Sequence, residues 1–112
     1  MKYMALIYTD PALTPVMGDT MNQAYFALNQ KMKAAGVMVA GDALHPASTA
    51  TSVRVRNEKV ETMDGPFAET REHLGGYYII DCADLDQALH WAAQIPGAAY
   101  GTVEVRPLVV FG

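Results

Sequence analysis

The spacing of hydrophobic and polar positions changes along the chain, and each change marks an element. Lys2–Thr9 is an apolar run of strand length, rich in aromatic and aliphatic residues. Both of its faces, Tyr3/Ala5/Ile7 and Met4/Leu6/Tyr8, are apolar, which predicts a central strand covered on both sides. Asp10–Gly18, with two prolines and a glycine, is a loop. From Thr20 the period becomes helical: Met21, Tyr25, Leu28, Met32 and Ala35 fall on one stripe. Thr20 and Gln23 form a capping box at its start, and Gly36 is the left-handed stop. Val37–Gly41 is a second short strand, and Ala43-Leu44-His45-Pro46 leads away from it. Ser52–Arg56 alternates cleanly, which sets Val53 and Val55 inward and Ser52, Arg54 and Arg56 outward. Asn57-Glu58 is a turn, and Lys59–Met63 returns as the partner strand of a hairpin. Tyr77–Cys82 is another apolar strand. Asp84, with Gln87 at the capping-box position, opens a second helix with a buried stripe of Leu85, Ala88, Leu89 and Ala92, and Pro96 stops it. Thr102–Val110 is the last strand.

The order is β-α-β, an inserted hairpin, then β-α-β, in one domain spanning residues 1–112. Each helix is apolar on one stripe only, so both can cover a single face of one antiparallel sheet. That pattern predicts an α+β ferredoxin-like sandwich with two helices on one face. The opposite face carries apolar residues that two helices cannot reach. A second copy of the chain would cover it, since a two-fold homodimer lets one patch bury itself. A cleft beside such a sheet is the natural place for a small-molecule ligand.

Composition narrows the function. The formal charge is −4 and there is no run of Lys or Arg, which argues against nucleic-acid binding through phosphates. No apolar stretch is long enough to span a membrane, and the N-terminal run reads as a strand rather than a signal peptide, so the cytoplasm is the expected compartment. The one cysteine, Cys82, ends an apolar strand and is expected to be a buried small hydrophobe. No metal site is expected, because no ligand-spaced motif is present, and no cofactor is expected either: Gly75-Gly76 opens a strand, not the helix of a phosphate loop.

Charge concentrates in one place. Half of the ten residues from Asp64 to His73 are Asp, Glu, Arg or His, in a chain that is 18% charged. Asp64-Gly65-Pro66 is turn chemistry: Gly65 tolerates a positive φ, Pro66 pushes it away from the helical region, and the turn fixes the backbone of Asp64. Asp64 is therefore a candidate base or ligand contact, with an Asx-turn as the structural alternative. Glu69 and His73, four apart, would share a face if 68–74 forms a helical turn. Arg71 and His73 then read as a solvated, self-paired surface. His45, held extended before Pro46, could meet Asp64 as an imidazole–carboxylate pair, whereas His90 belongs to the polar side of the second helix beside Asp86 and Gln94. Arg106, on the last strand with Glu104 on the same face, could anchor a carboxylate substrate or simply pair with Glu104. Tyr8 and Tyr78 would be aromatic walls of the same cleft.

Asp64-Gly65-Pro66-Phe67-Ala68-Glu69-Thr70, then Glu72, Leu74-Gly75-Gly76-Tyr77-Tyr78 and Glu104-Val105-Arg106-Pro107, resemble the YCII-related, or DGPF-domain, family over nearly the whole chain. The resemblance implies a fold like the dimeric α+β barrels, raises Glu69 above His73, and covers Arg106. A His–Asp pair has been suspected in that family, although His45 lies outside the matching blocks. The reading that follows is cofactor-free acid–base chemistry, of isomerase or lyase type, on a small anionic molecule. Catalysis would fall to His45, Asp64 and Glu69, and binding to Arg106, Tyr8 and Tyr78. The alternative is a non-enzymatic ligand-binding or regulatory accessory domain, since genes of relatives often lie beside those of extracytoplasmic-function sigma factors.

Overall fold

A computed structural model of the chain describes residues 1–13 and 19–111. Among the described residues, six strands and two helices follow one another as β1 (Lys2–Thr9), α1 (Asp19–Ala34), β2 (Met38–Ala43), β3 (Thr51–Arg56), β4 (Lys59–Asp64), β5 (His73–Asp81), α2 (Leu85–Ala92) and β6 (Gly101–Pro107). The main sheet has the order β2-β5-β1-β6 and is antiparallel throughout, while β3 and β4 form a separate hairpin. This is the ferredoxin-like α+β sandwich expected from the element order, with the hairpin inserted between β2 and β5.

The core lies on one face of the sheet. Tyr3, Ala5 and Ile7 of β1 stand opposite Ile80, Tyr78 and Gly76 of β5, and pack with Leu28 and Met32 of α1 and Ala88 and Ala92 of α2. Both helices therefore cover the same face. On the other face Met4, Leu6 and Tyr8, with Tyr77 and Ile79, remain only half buried. The described residues thus cover β1 on one side, not on both. The molecule is a slab 47 × 43 × 18 Å, as thick as one helix layer on one sheet.

Local chemistry explains the element ends. Asp84 caps α2 by accepting from the Gln87 amide at 2.9 Å, and Gln87 reaches back to accept from the Ala83 amide at 2.8 Å. At the end of α1, Gly36 has φ +73°, its amide donates to the Lys33 carbonyl, and the Val37 amide donates to the Met32 carbonyl. Helix α1 starts at Asp19, so Thr20 stands inside the first turn rather than at the cap. The last strand ends at Pro107 instead of Val110; Leu108 still donates to the Lys2 carbonyl, but Val109, Val110 and Phe111 run on exposed.

Two stripes differ from expectation. In α2, Leu85 and Leu89 are about half exposed, and the face turned inward is Ala88, Ala92 and the half-buried Trp91. In the hairpin, Val53 and Val55 are not inward at all. They are 66% and 57% exposed, because none of the other described residues lies over them.

Candidate functional site

A cavity of about 610 Å³ opens beside the end of β1, between the segment leading from β2 to β3 and the segment leading from β4 to β5. Its apolar lining includes Leu44, Pro46, Phe67 and Leu74; its polar lining includes Tyr8, His45, Ser52, Thr70, Glu72 and His73. Two imidazoles and one carboxylate therefore share an otherwise largely apolar space, and no Lys or Arg is among the described residues of its wall.

Several local features build it. Opposite β1, the register of β5 shifts between Ile7 and Tyr8: Ile7 faces Gly76, and Tyr8 faces Leu74, so Gly75 is the extra residue of a bulge. A bulge reverses the alternation beyond it, which puts Leu74 on the side of Tyr8 instead of the helix side. Tyr8 itself belongs to the half-open face with Met4 and Leu6. His45 is carried by the extended segment before Pro46, whose φ of −53° and ψ of 151° lead into a short 3-10 helix, Ala47–Thr49. The other wall begins at Gly65, with φ +91°. Its amide donates to the Ala50 carbonyl and its carbonyl accepts from the Ser52 hydroxyl at 2.9 Å, which ties the turn to the root of β3. From Pro66 to Glu72 the backbone is irregular, held at its far end by the Thr70 hydroxyl donating to the Glu72 carbonyl at 2.6 Å.

Glu72 is half buried, and one carboxylate oxygen lies 3.4 Å from the Thr102 hydroxyl of β6. His73 opens β5 opposite Thr9. It also borders a second, shallower hollow with Asp10 and Arg71, where the Arg71 guanidinium stands 3.9 Å from the Asp10 carboxylate. Asp10 is 8% exposed and accepts from the Ala12 amide at 2.9 Å, an Asx-turn just after β1.

The expected site residues are only partly assembled. His45 and Tyr8 line the cavity. Asp64, the last residue of β4, pairs in register with Thr51 and so lies on the hairpin face opposite to Ser52, away from the cavity; it makes no hydrogen bond with the described residues, neither an Asx-turn nor a His45 pair. Glu69 is exposed outside the lining. The helical turn that would have joined it to His73 does not form: 66–72 is irregular and His73 is already strand. Arg106 is 69% exposed on the open sheet face opposite Met4, where its guanidinium donates to Glu104 at 2.7 Å. Tyr78 is on the other face. It is buried under the helices, and its hydroxyl donates to the Asn29 carboxamide oxygen at 2.6 Å.

Glu72 and His73 are the residues that sequence reasoning passed over. Glu72 was already visible in the charged block and in the family-like pattern. A helical period over 68–74 puts His73 on a solvated surface, whereas the chain there is irregular and His73 begins β5. His90 is on the surface as expected, with Gln94 beside it. Cys82 is buried, and burial, with Asp81 nearby, pushes its thiol above the usual range. Tyr77, on the open face, donates to Asp42 at 2.8 Å; that bond, then the negative charge, raises its phenol above the ordinary value.

The YCII-related domain family matches residues 1–112 in full. The chain belongs to this family. An uncharacterised protein of Rhizobium meliloti (strain 1021) is 36% identical to this YCII-related protein over 117 residues, covering 99% of the chain and 94% of the relative. Among solved structures, 5-chloro-2-hydroxyhydroquinone dehydrochlorinase (TftG) from Burkholderia phenoliruptrix AC1100, in complex with 2,5-dihydroxybenzoquinone, is similar over 97% of this chain and 94% of that one. Its TM-score is 0.54 and its identity 12%, so the likeness is one of fold. Among the described residues, no helix of this YCII-related protein is long and apolar enough to cross a membrane.

Proposed function

We propose that this YCII-related protein is an enzyme that moves protons on a small organic molecule held in the Tyr8/His45/His73 cavity, by isomerase- or lyase-type chemistry that needs no cofactor. The observation that carries the reading is the composition of that wall: His45, His73 and Glu72 around a space whose apolar lining includes Leu44, Pro46, Phe67 and Leu74. An imidazole can take a proton from carbon or oxygen near neutral pH, and a second acid–base group can return it elsewhere on the molecule. The negative charge that forms, an enolate or a carboxylate, is met by an imidazolium. Arg106, engaged with Glu104 on the open face, is not needed as its anchor. Phe67, 85% exposed, and Leu44 offer flat and aliphatic surface to the ligand's carbon skeleton. TftG is a dehydrochlorinase whose structure holds a small cyclic molecule, which supports a small organic ligand for a protein of similar fold. The reading includes a homodimer that buries the half-open face of Met4, Leu6 and Ile79.

A binding role without turnover is favoured by one observation: among the described residues no carboxylate holds a ring nitrogen of His45 or His73. Solvent exchange separates the two. Enolisable acids and hydroxylated rings are incubated in deuterium oxide with the protein and followed by NMR. Proton abstraction gives enzyme-dependent C–H exchange that falls by about 100-fold in His45→Ala, His73→Ala or Glu72→Gln, the scale of a lost acid–base group. Ligand binding with no exchange would assign the cavity to a receptor instead. Exchange that survives all three substitutions would place the chemistry outside this cavity.

A further inference from the structure

The β3–β4 hairpin is amphipathic in a way the other described residues leave unused. The register pairs Val53 with Thr62 and Val55 with Val60, so these four side chains share one face; Arg54 with Glu61 and Arg56 with Lys59 share the other. Val53, Val55 and Val60 are 57–70% exposed, and every strand residue of the hairpin except Ser52 is exposed. Ser52, on the charged face, lines the cavity, so the valine face is turned away from the proposed ligand. A two-stranded hairpin is at best marginally stable alone in water, and three exposed valines on one face call for a cover.

We infer that this hairpin is an arm that docks, valine face inward, on a second copy of the same chain; the inference rests on the homodimer proposed above and adds the arm to it. Area is the first argument. Four strands about 4.8 Å apart, paired over some six residues, present a face of roughly 350 Å² on each copy. Two such faces bury roughly 700 Å², which is the scale of a crystal contact and below the ~1,200 Å² of a stable interface. Each arm, two strands of six residues, adds roughly 200 Å² of its own and a similar area beneath it. Two arms bring the total to roughly 1,500 Å², within the standard range.

Charge decides which face docks. The chain carries −4, yet residues 54–59 at the outer end of the arm hold Arg54, Arg56 and Lys59 against Glu58 alone. Arg54 is paired with Glu61 at 3.2 Å, whereas Arg56 and Lys59 stand directly opposite one another and form no ion pair among the described residues. With the valine face docked, Arg56 and Lys59 lie on the opposite face and stay in water, so the arm buries no unpaired charge. Because Ala50 and Ser52 at the arm's root are cavity wall, docking also fixes the width of the proposed site.

The test compares wild type with the triple variant Val53→Thr/Val55→Thr/Val60→Thr, which keeps strand propensity and removes the apolar face. Wild type should sediment at twice the chain mass at micromolar concentration, and the variant's dissociation constant should rise at least tenfold with its thermal transition retained. Hydrogen exchange on unaltered protein gives a second reading: amides 51–64 should gain protection as concentration crosses the dissociation constant. A dimeric wild type whose arm amides and variant affinity do not respond would overturn the arm while leaving the dimer standing. A monomeric wild type would overturn both, and dimer-independent protection of the arm by an added acidic protein would assign it to another partner.

Discussion

The Tyr78 hydroxyl donates a 2.6 Å hydrogen bond to the Asn29 carboxamide, joining the middle of β5 to α1 through the buried face of the sheet. Burial, and the neighbouring Tyr25 phenol, push Tyr78 from the ordinary value of 10 up to about 12. Tyr25 is raised as well, mainly by burial, although the Gly97 amide that donates to its oxygen acts the other way. Below pH 10 both folded and unfolded chains keep the Tyr78 proton, so its contribution is fully present. Between about pH 10 and about pH 12 the unfolded chain ionises first, and stability falls as pH rises. Urea unfolding from pH 9 to 12 should show this loss, and Tyr78→Phe should show a shallower one from a lower starting stability, because Asn29 loses its donor. Equal slopes would mean that Tyr78 is not the group responsible.

Gly65 has φ +91°, and a side chain there would meet nothing within 4 Å. The cost of Gly65→Val is therefore backbone strain alone, about 1–3 kcal/mol. The midpoint of chemical unfolding reads it directly. A variant as stable as wild type would show that the turn relaxes to an extended conformation without loss.

Asn57 and Glu58 both have positive φ, 51° and 64°, the geometry of a type I′ hairpin turn. Asn suits the first of these positions, but Glu at the second bears the steric cost of a left-handed side chain. Glu58→Gly should strengthen the hairpin by about 1 kcal/mol. The measurement is amide exchange across 51–64, which should slow several-fold in the variant.

Asp64 and Glu69 stand outside the cavity, and Asp64 makes no hydrogen bond with the described residues. Asp64→Asn and Glu69→Gln should leave the melting temperature within about 1 °C and the deuterium exchange of substrate within twofold, where Glu72→Gln loses it. An Asp64→Asn protein that folds normally and fails to bind ligand would bring that carboxylate back into the site.

Much of the architecture is legible in the residue pattern because its causes are local. The apolar strand run of Lys2–Thr9, the stripe Met21/Tyr25/Leu28/Met32, the cap of Asp84 with Gln87 and the turn at Gly65 depend on neighbours a few positions away. Periodicity then states which side chains share a face, and it states no more. That Val53, Val55 and Val60 lie together follows from pairing; that the chain leaves them bare is a matter of what folds over the hairpin. The same limit governs the site. Tyr8 and Tyr78 look alike in sequence, yet strand parity sends one to the cavity and the other into the core. One bulge at Gly75 re-aims Leu74, and an irregular segment where a helical turn was expected brings Glu72 and His73 beside His45. Short-range sterics and hydrogen bonds select the elements from the sequence. The meeting of residues dozens of positions apart depends on register and on which face each strand presents, and only the packed tertiary structure decides that.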